Sequence, residues 1–350
     1  MSCCLRCACA KNDAAASALE LEYAQQFTVE VRADGCYLVT IGGSDRFLVV
    51  PSGVDAPAIA DGVTVILQPA QNIYLAATSA MCLFDALPNI SMSGIKADGW
   101  AIENARNAMN RGEIIYAGKY SAPDYEMLLA KSCGLAIEST MITHAPQVQE
   151  KLELLGIPVL VERSSYEPHP LGRTEWIKLY GLLTGKLELA EELFAKQVEY
   201  LDGISHQETE KTVAFFYISS NGNAVVRKTG DYVTKMIELA GGNTVFTDTG
   251  GESSATGTVN LDMEQFYAAA KDADILIYNS TIDGELRALS DLLGKSELVS
   301  DFKAFQNGDV WCSSKNMFQE TTEFGLMMTE LSRIFTEDAP DDLKFFSRLR

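Results

Sequence analysis

From Leu187 to about Ser205, apolar residues at Leu189, Ala190, Leu193, Phe194, Val198 and Leu201 recur at three- and four-residue spacing, with Glu, Lys and Gln between them. That spacing is the period of an amphipathic helix. At ~1.5 Å per residue the segment reaches about 28 Å, enough to join two lobes in one pass. The sequences on its two sides resemble each other. In the first half Asp124-Tyr125-Glu126-Met127-Leu128-Leu129-Ala130 opens a helix that leads to an apolar strand, Gly134-Leu135-Ala136-Ile137. In the second half Asp262-Met263-Glu264-Gln265-Phe266-Tyr267-Ala268 opens a helix that leads to Ile275-Leu276-Ile277-Tyr278. A D-x-E-x-x-x-A helix followed by a strand, at the same place in each half, predicts two similar lobes.

Toward the N-terminus, Phe27 to Val31 and Tyr37 to Ile41 alternate with period two around Ala33-Asp34-Gly35, and Arg46 to Pro51 is a further apolar run. This predicts a β-hairpin with a third strand beside it. A strand at Val63 to Leu67 and a helix-like stretch from Ala76 to Leu87 follow. From there short apolar strands alternate with helices: Ile114 to Tyr116, Leu135 to Ile137 and Ile157 to Val161 in the first half; Val213 to Ile218, Ile275 to Tyr278 and Val310 to Cys312 in the second. The expected helices lie at 147–155, 174–183, 233–240, 263–270 and 322–335. The pattern predicts an α/β protein: two similar lobes with mostly parallel central sheets, one long connecting α-helix, a ligand cleft between the lobes and an extra N-terminal β-hairpin. The expected divisions are a tether at 1–25, lobes at 26–166 and 207–350, and a helical connector at 167–206.

A chain of 350 residues with 47% hydrophobic content suits two cores. Acids outnumber bases 48 to 28, for a formal charge of −20, which argues against nucleic acid as a partner. No apolar run approaches the ~18 to 20 residues of a membrane span. Four cysteines, Cys3, Cys4, Cys7 and Cys9, crowd the first nine residues, whereas Cys36, Cys82, Cys133 and Cys312 lie in apolar surroundings. The latter four are expected as buried free thiols. The former read as the end of an export signal, followed by a flexible tether of small and polar residues as in a lipoprotein.

Catalytic signatures are scarce. The histidines His144, His169 and His206 are far apart without a paired ligand spacing, so no protein-held metal is expected. The chain has no G-x-S-x-G elbow, phosphate loop or dinucleotide turn, which disfavours hydrolase, NTPase and dehydrogenase chemistry. What stands on loops after strands, where open α/β sheets bind ligands, is a set of aromatic and cationic residues. They are Trp100, Tyr116, Tyr120, Arg163, Tyr166, Arg173, Arg227, Tyr232, Lys315 and Phe318. Arginine beside aromatic faces suits a large, flat, anionic ligand.

Taken in order, the D-x-E openings at Glu126 and Glu264, the strand Gly156-Ile157-Pro158-Val159, Gly185-Lys186 with Ala190-Glu191, and Ala240-Gly241-Gly242-Asn243 carry a family likeness. Over about residues 60 to 345 the chain resembles class III periplasmic-type substrate-binding proteins, which deliver iron complexes, haem or cobalamin to ABC importers. The resemblance implies a binding protein and not an enzyme, without a cofactor of its own, whose ligand is a metal chelate such as a ferric siderophore, haem or a corrinoid. It implies a monomer outside the cytoplasm, periplasmic or on the cell surface and lipid-anchored, working with a permease dimer and its ATPase. Glu126 and Glu264 match the two surface carboxylates that dock on permease arginines in that family. Two alternatives use similar lobes: a chelatase that inserts metal into a tetrapyrrole, for which His144 or His169 would have to hold the metal, and a ligand sensor.

Overall fold

The computed structural model describes residues 18–87, 102–204, 209–247, 257–337 and 340–350, together with the backbone of 17 and 92–94. Trp100, His206, the cysteines at 3, 4, 7 and 9, and the glycine- and serine-rich stretch at 250–254 lie outside them.

The N-terminal strands β1 (Ser17–Ala18), β2 (Phe27–Val31), β3 (Tyr37–Ile41), β4 (Asp45–Val50) and β5 (Val63–Leu67) form a sheet in that order. The expected hairpin and third strand are its centre. β5 joins β4 in parallel, which a hairpin connection cannot do and the 51–62 loop makes possible. Phe27, Val29, Val39 and Ile41 point to the main core, while Cys36, Leu48 and Val50 make a small apolar cluster of their own.

The first lobe follows as β6 (Ile73–Leu75), α1 (Met81–Asp85), β7 (Met92–Gly94), α2 (Glu103–Asn110), β8 (Gly118–Lys119), β9 (Ala122–Pro123), α3 (Tyr125–Ala130), β10 (Leu135–Ser139), α4 (Pro146–Leu154) and β11 (Val159–Glu162). Its sheet runs β11-β10-β6-β7, parallel throughout. Ile114 to Tyr116, expected as a core strand, is not one. Gly112 and Gly118, both at positive φ, turn the chain on either side, and Tyr116 is 48% exposed.

Between the lobes the chain makes α5 (Pro170–Thr184) and α6 (Leu187–Asp202). The connection is helical as expected, but it is a pair of helices and not one. Gly185 ends α5 at φ 72°, a left-handed position that glycine adopts without strain, and α6 folds back on α5. The two touch at Gly181, where an added Cβ would lie 2.5 Å from that of Ala190. The helix around which the molecule is organised is α5, since all fifteen of its residues are buried, whereas α6 buries Ala190, Phe194, Gln197 and Leu201.

The second lobe comprises β12 (Thr212–Ile218), β13 (Ala224–Arg227), α7 (Tyr232–Leu239), β14 (Asn243–Thr244), β15 (Thr258–Leu261), α8 (Met263–Ala270), β16 (Ile275–Tyr278), α9 (Leu289–Lys295), α10 (Lys303–Asn307), β17 (Val310–Ser313), α11 (Phe324–Thr336) and β18 (Phe346–Arg348). Its sheet runs β15-β13-β12-β16-β17-β18, with β14 beside β12. β14, β12, β16 and β17 are parallel, but the outer strands β13, β15 and β18 are antiparallel. For β13 the reason is connection length, because the 219–223 turn with Gly222 at φ 77° joins β12 to β13 too tightly for a crossover.

One apolar cluster runs through the N-terminal sheet, α1, α5, α6, α7 and α11, so the two lobes share a core at their junction. Gln197 of α6 strengthens the join. Its side-chain oxygen accepts from the N–H groups of Gly325 and Leu326, capping the start of α11 at 3.1 and 3.4 Å. Cys36, Cys82, Cys133 and Cys312 are free thiols, the first, second and fourth of them buried.

Candidate functional site

The junction of the lobes is where the cationic and aromatic side chains meet. Arg173, in the first turn of α5, is 7% exposed, and its guanidinium lies 3.7 Å from the ring centroid of Tyr232 at the start of α7. The first lobe holds the other side of that guanidinium. Its Nη2 donates to the Ser165 carbonyl at 2.6 Å and its Nε to the Glu167 carbonyl at 3.3 Å. Arg227, at the end of β13, is paired with Asp231 at 3.5 Å and lies 4.6 Å over the Phe318 ring. Tyr232 stacks on Phe324 at 5.4 Å and meets Phe318 edge-on at 6.4 Å.

The local folding follows from caps and burial. Asp231 is the N-cap of α7, where its carboxylate accepts from Val233 N–H at 2.9 Å and from Gly257 N–H at 3.1 Å. Burial pushes the Asp231 carboxyl up, and the Arg227 charge opposes the rise. Burial likewise pushes the Tyr232 phenol up to about 12 and the Arg173 guanidinium down, with the Arg227 charge beside it lowering Arg173 further. Two cations, two carboxylates (Glu162 and Asp231) and three rings thus share one electrostatic neighbourhood. The half-buried Arg227 and Phe318 stand at its edge.

Of the residues expected on the cleft, Arg173, Arg227, Phe318 and Tyr232 are therefore brought together. Arg163 and Tyr166, after β11, have other partners. The Arg163 guanidinium packs against the Gly42 turn of the N-terminal sheet and 5.8 Å over the Tyr166 ring, and the Tyr166 hydroxyl pairs with Thr140 Oγ1 at 3.1 Å. Tyr120, at the β8–β9 turn, packs on the cluster of Tyr74, Ala117 and Leu128 on the outer side of the first sheet. Lys315 is exposed after β17, with its backbone N–H donating to Glu285 at 2.9 Å. Trp100 is outside the described residues.

Glu126 and Glu264 occupy the same place in their lobes, the second residue of α3 and of α8. Each helix is capped by an aspartate, Asp124 accepting from Met127 N–H at 3.0 Å and Asp262 from Gln265 N–H at 2.8 Å. With the caps supplied by other side chains, the two glutamates are exposed and have no partner among the described residues. Each helix runs back toward the start of the strand after it, β10 or β16. Its first turn therefore lies toward the edge where the strands end.

His169 is the N-cap of α5, and its Nδ1 accepts from Leu171 N–H at 3.2 Å. Burial and the nearby Lys235 charge lower its pKa to about 4. The neutral ring then carries its proton on Nε2, which leaves no free lone pair for a metal. His144 is exposed at the end of a 3₁₀ turn, away from this cluster.

Comparison with known proteins fits this architecture. The profile of a family described as periplasmic binding protein matches residues 86–313, more than half of the chain. The chain belongs to that family of two-lobed binding proteins. An uncharacterized lipoprotein of Methanocaldococcus jannaschii is 26% identical over 350 residues, covering 94% of this chain and 87% of that protein. Among solved structures, the periplasmic haem-binding protein HutB of Vibrio cholerae superposes with a TM-score of 0.59 at 15% identity, over 75% of this chain and 98% of that one. The periplasmic catecholate-siderophore binding protein VctP of the same organism gives 0.56 at 14% identity, over 76% and 92%. At such identities these likenesses establish the fold.

One buried acid was not anticipated. Glu138 on β10 is fully buried, neither of its oxygens has a hydrogen-bond partner among the described residues, and burial pushes its carboxyl up to about 8. It follows three apolar residues on a strand, which gives a sequence reader no signal. Against its ordinary value of 4.5, the folded carboxyl keeps a proton that the unfolded chain releases. Its contribution to stability is therefore complete below pH 4.5 and is lost as the pH rises through about 8, with a slope of at most ~1.4 kcal/mol per pH unit. Chemical denaturation of Glu138→Gln beside the native protein should show the variant gaining relative stability across that window and levelling off above it. A difference independent of pH would contradict the buried-acid account.

Proposed function

We propose that the protein is the extracytoplasmic, lipid-anchored receptor of an ABC importer, capturing an anionic metal chelate at the junction of the lobes and presenting it to a permease dimer. The observation that carries the ligand class is the Arg173–Tyr232–Phe318–Arg227 cluster. Guanidinium groups pair with carboxylates and catecholates, and the rings offer flat apolar faces. A ferric siderophore or haem combines both features; a corrinoid offers the flat face with less negative charge. The matched family and the haem- and siderophore-binding structures support a binding role, and the lipoprotein relative supports the anchor. The protonated Nε2 of His169, and the exposed position of His144 away from the cluster, speak against the chelatase alternative, in which one of these two imidazoles would have to ligate metal.

Arg227 is the cation best placed to meet the ligand. Arg227→Ala should weaken binding of a ferric catecholate or haemin by ~1.5 to 3 kcal/mol, the range for hydrogen bonds to charged groups. Cyanocobalamin, carrying less charge, should lose less. Fluorescence quenching titrations with the three probes would measure this, and unchanged affinity for both anionic probes would remove the anionic-ligand reading.

The paired position of Glu126 and Glu264 supports two-point docking on arginines of the permease. Such charges govern orientation and association rate more than total affinity. The alternative is that both merely favour their helix starts through the dipole, by ~0.3 to 1 kcal/mol. In a reconstituted transporter, Glu126→Gln combined with Glu264→Gln should leave ligand affinity and folding close to native while abolishing ligand-stimulated ATP hydrolysis. Stimulation at the native rate would leave only the helix-start role.

A further inference from the structure

We infer that the N-terminal segment 22–26 is a working part of the lobe junction, and that Glu167 is the positioning residue through which it holds Arg173 against Tyr232. The segment precedes β2 and runs across the first turn of α5. Two buried carboxylates receive its backbone. Glu175 accepts from the N–H groups of Glu22, Tyr23 and Ala24 at 2.9, 2.8 and 2.8 Å. Glu167 accepts from those of Gln25 and Gln26 at 2.8 and 2.9 Å, and from Trp176 Nε1 at 2.9 Å. The fit is close on the other side as well, since the Tyr23 ring stacks on His169 at 4.5 Å and a Cβ added to Gly172 would lie 2.9 Å from the Tyr23 carbonyl.

Glu167 is what connects this strap to the site. Its side chain is fixed by three donors, and its own carbonyl accepts from Arg173 Nε. Arg173 in turn is the group that reaches the second lobe at Tyr232. The path from strap to second lobe is thus a series of direct contacts within a buried region, where polar groups are costly to leave unpaired and so hold their partners in place. On the proposed reading, the segment leading to the lipid anchor is thereby fastened at the lobe junction. The inference deepens the proposed function, because the residue it positions belongs to the ligand cluster.

Glu167→Gln tests it. A single amide oxygen cannot serve three donors, and the amide N–H₂ would face an N–H group. Hydrogen exchange, followed by mass spectrometry on the full chain without ligand, should show about five- to tenfold faster exchange at 22–26, at 164–173 and at the first turn of α7 around Tyr232. In an Arg173→Ala background, adding Glu167→Gln should leave the α7 turn unchanged, because the connection is already cut. A merely local structural role would loosen 22–26 and leave α7 as in the native protein, and that result would overturn the inference. Additive effects on α7 in the double variant would overturn it too. Should Glu167→Gln fail to fold, Gln25→Pro removes one donor without touching Glu167, and α7 is read in the same way, with the same result overturning it. Because exchange is read without ligand, the outcome is separate from that of Arg227→Ala, which tests the ligand reading alone.

Discussion

Burying a helix that contains Arg173, Glu175 and Lys178 is the constraint on which the rest of this structure depends. An unpaired charge in such a place would cost several kcal/mol, so each must find a partner on a neighbouring element. Glu175 accepts from Lys178 at 2.7 Å and from the backbone of the N-terminal segment, while Arg173 donates to the loop before α5 and covers Tyr232. Satisfying α5 therefore requires the N-terminal segment, the first lobe and the second lobe to be in place at once. Trp176, Leu179, Tyr180 and Leu183 add apolar contacts in the same core that holds α7 and α11.

This arrangement gives the site its character. Arg173, one of the two cations of the cluster, also joins the lobes, so a ligand at this cluster would meet a surface already braced by α5 and by Gln197 at the start of α11. Movement of the lobes is correspondingly expected to be small. The exposed glutamates Glu126 and Glu264, by contrast, take no part in the core, and nothing in the fold requires their charge.

The same physics explains what could be read from the sequence. α6, with one face in the core and one in solvent, shows its period plainly. α5 is buried all round, so its polar residues look like those of a surface helix and its central place is hidden. The D-x-E openings were legible because the aspartate caps and the strands after them are local features. Arg173, Arg227, Tyr232 and Phe318 could be chosen by chemistry and loop position, but their convergence depends on contacts between lobes. The antiparallel outer strands β15 and β18 and the role of 22–26 rest on pairings between distant segments, and Glu138 on burial alone.

The most direct measurement is a crystal structure of the protein soaked with whichever of haemin, a ferric catecholate or cyanocobalamin it binds most tightly. The account predicts density for the chelate at the lobe junction, against Arg227 and Phe318, with α5 unbroken and its contacts to 22–26 intact. Density away from that junction, or lobes turned about a break in α5, would contradict it.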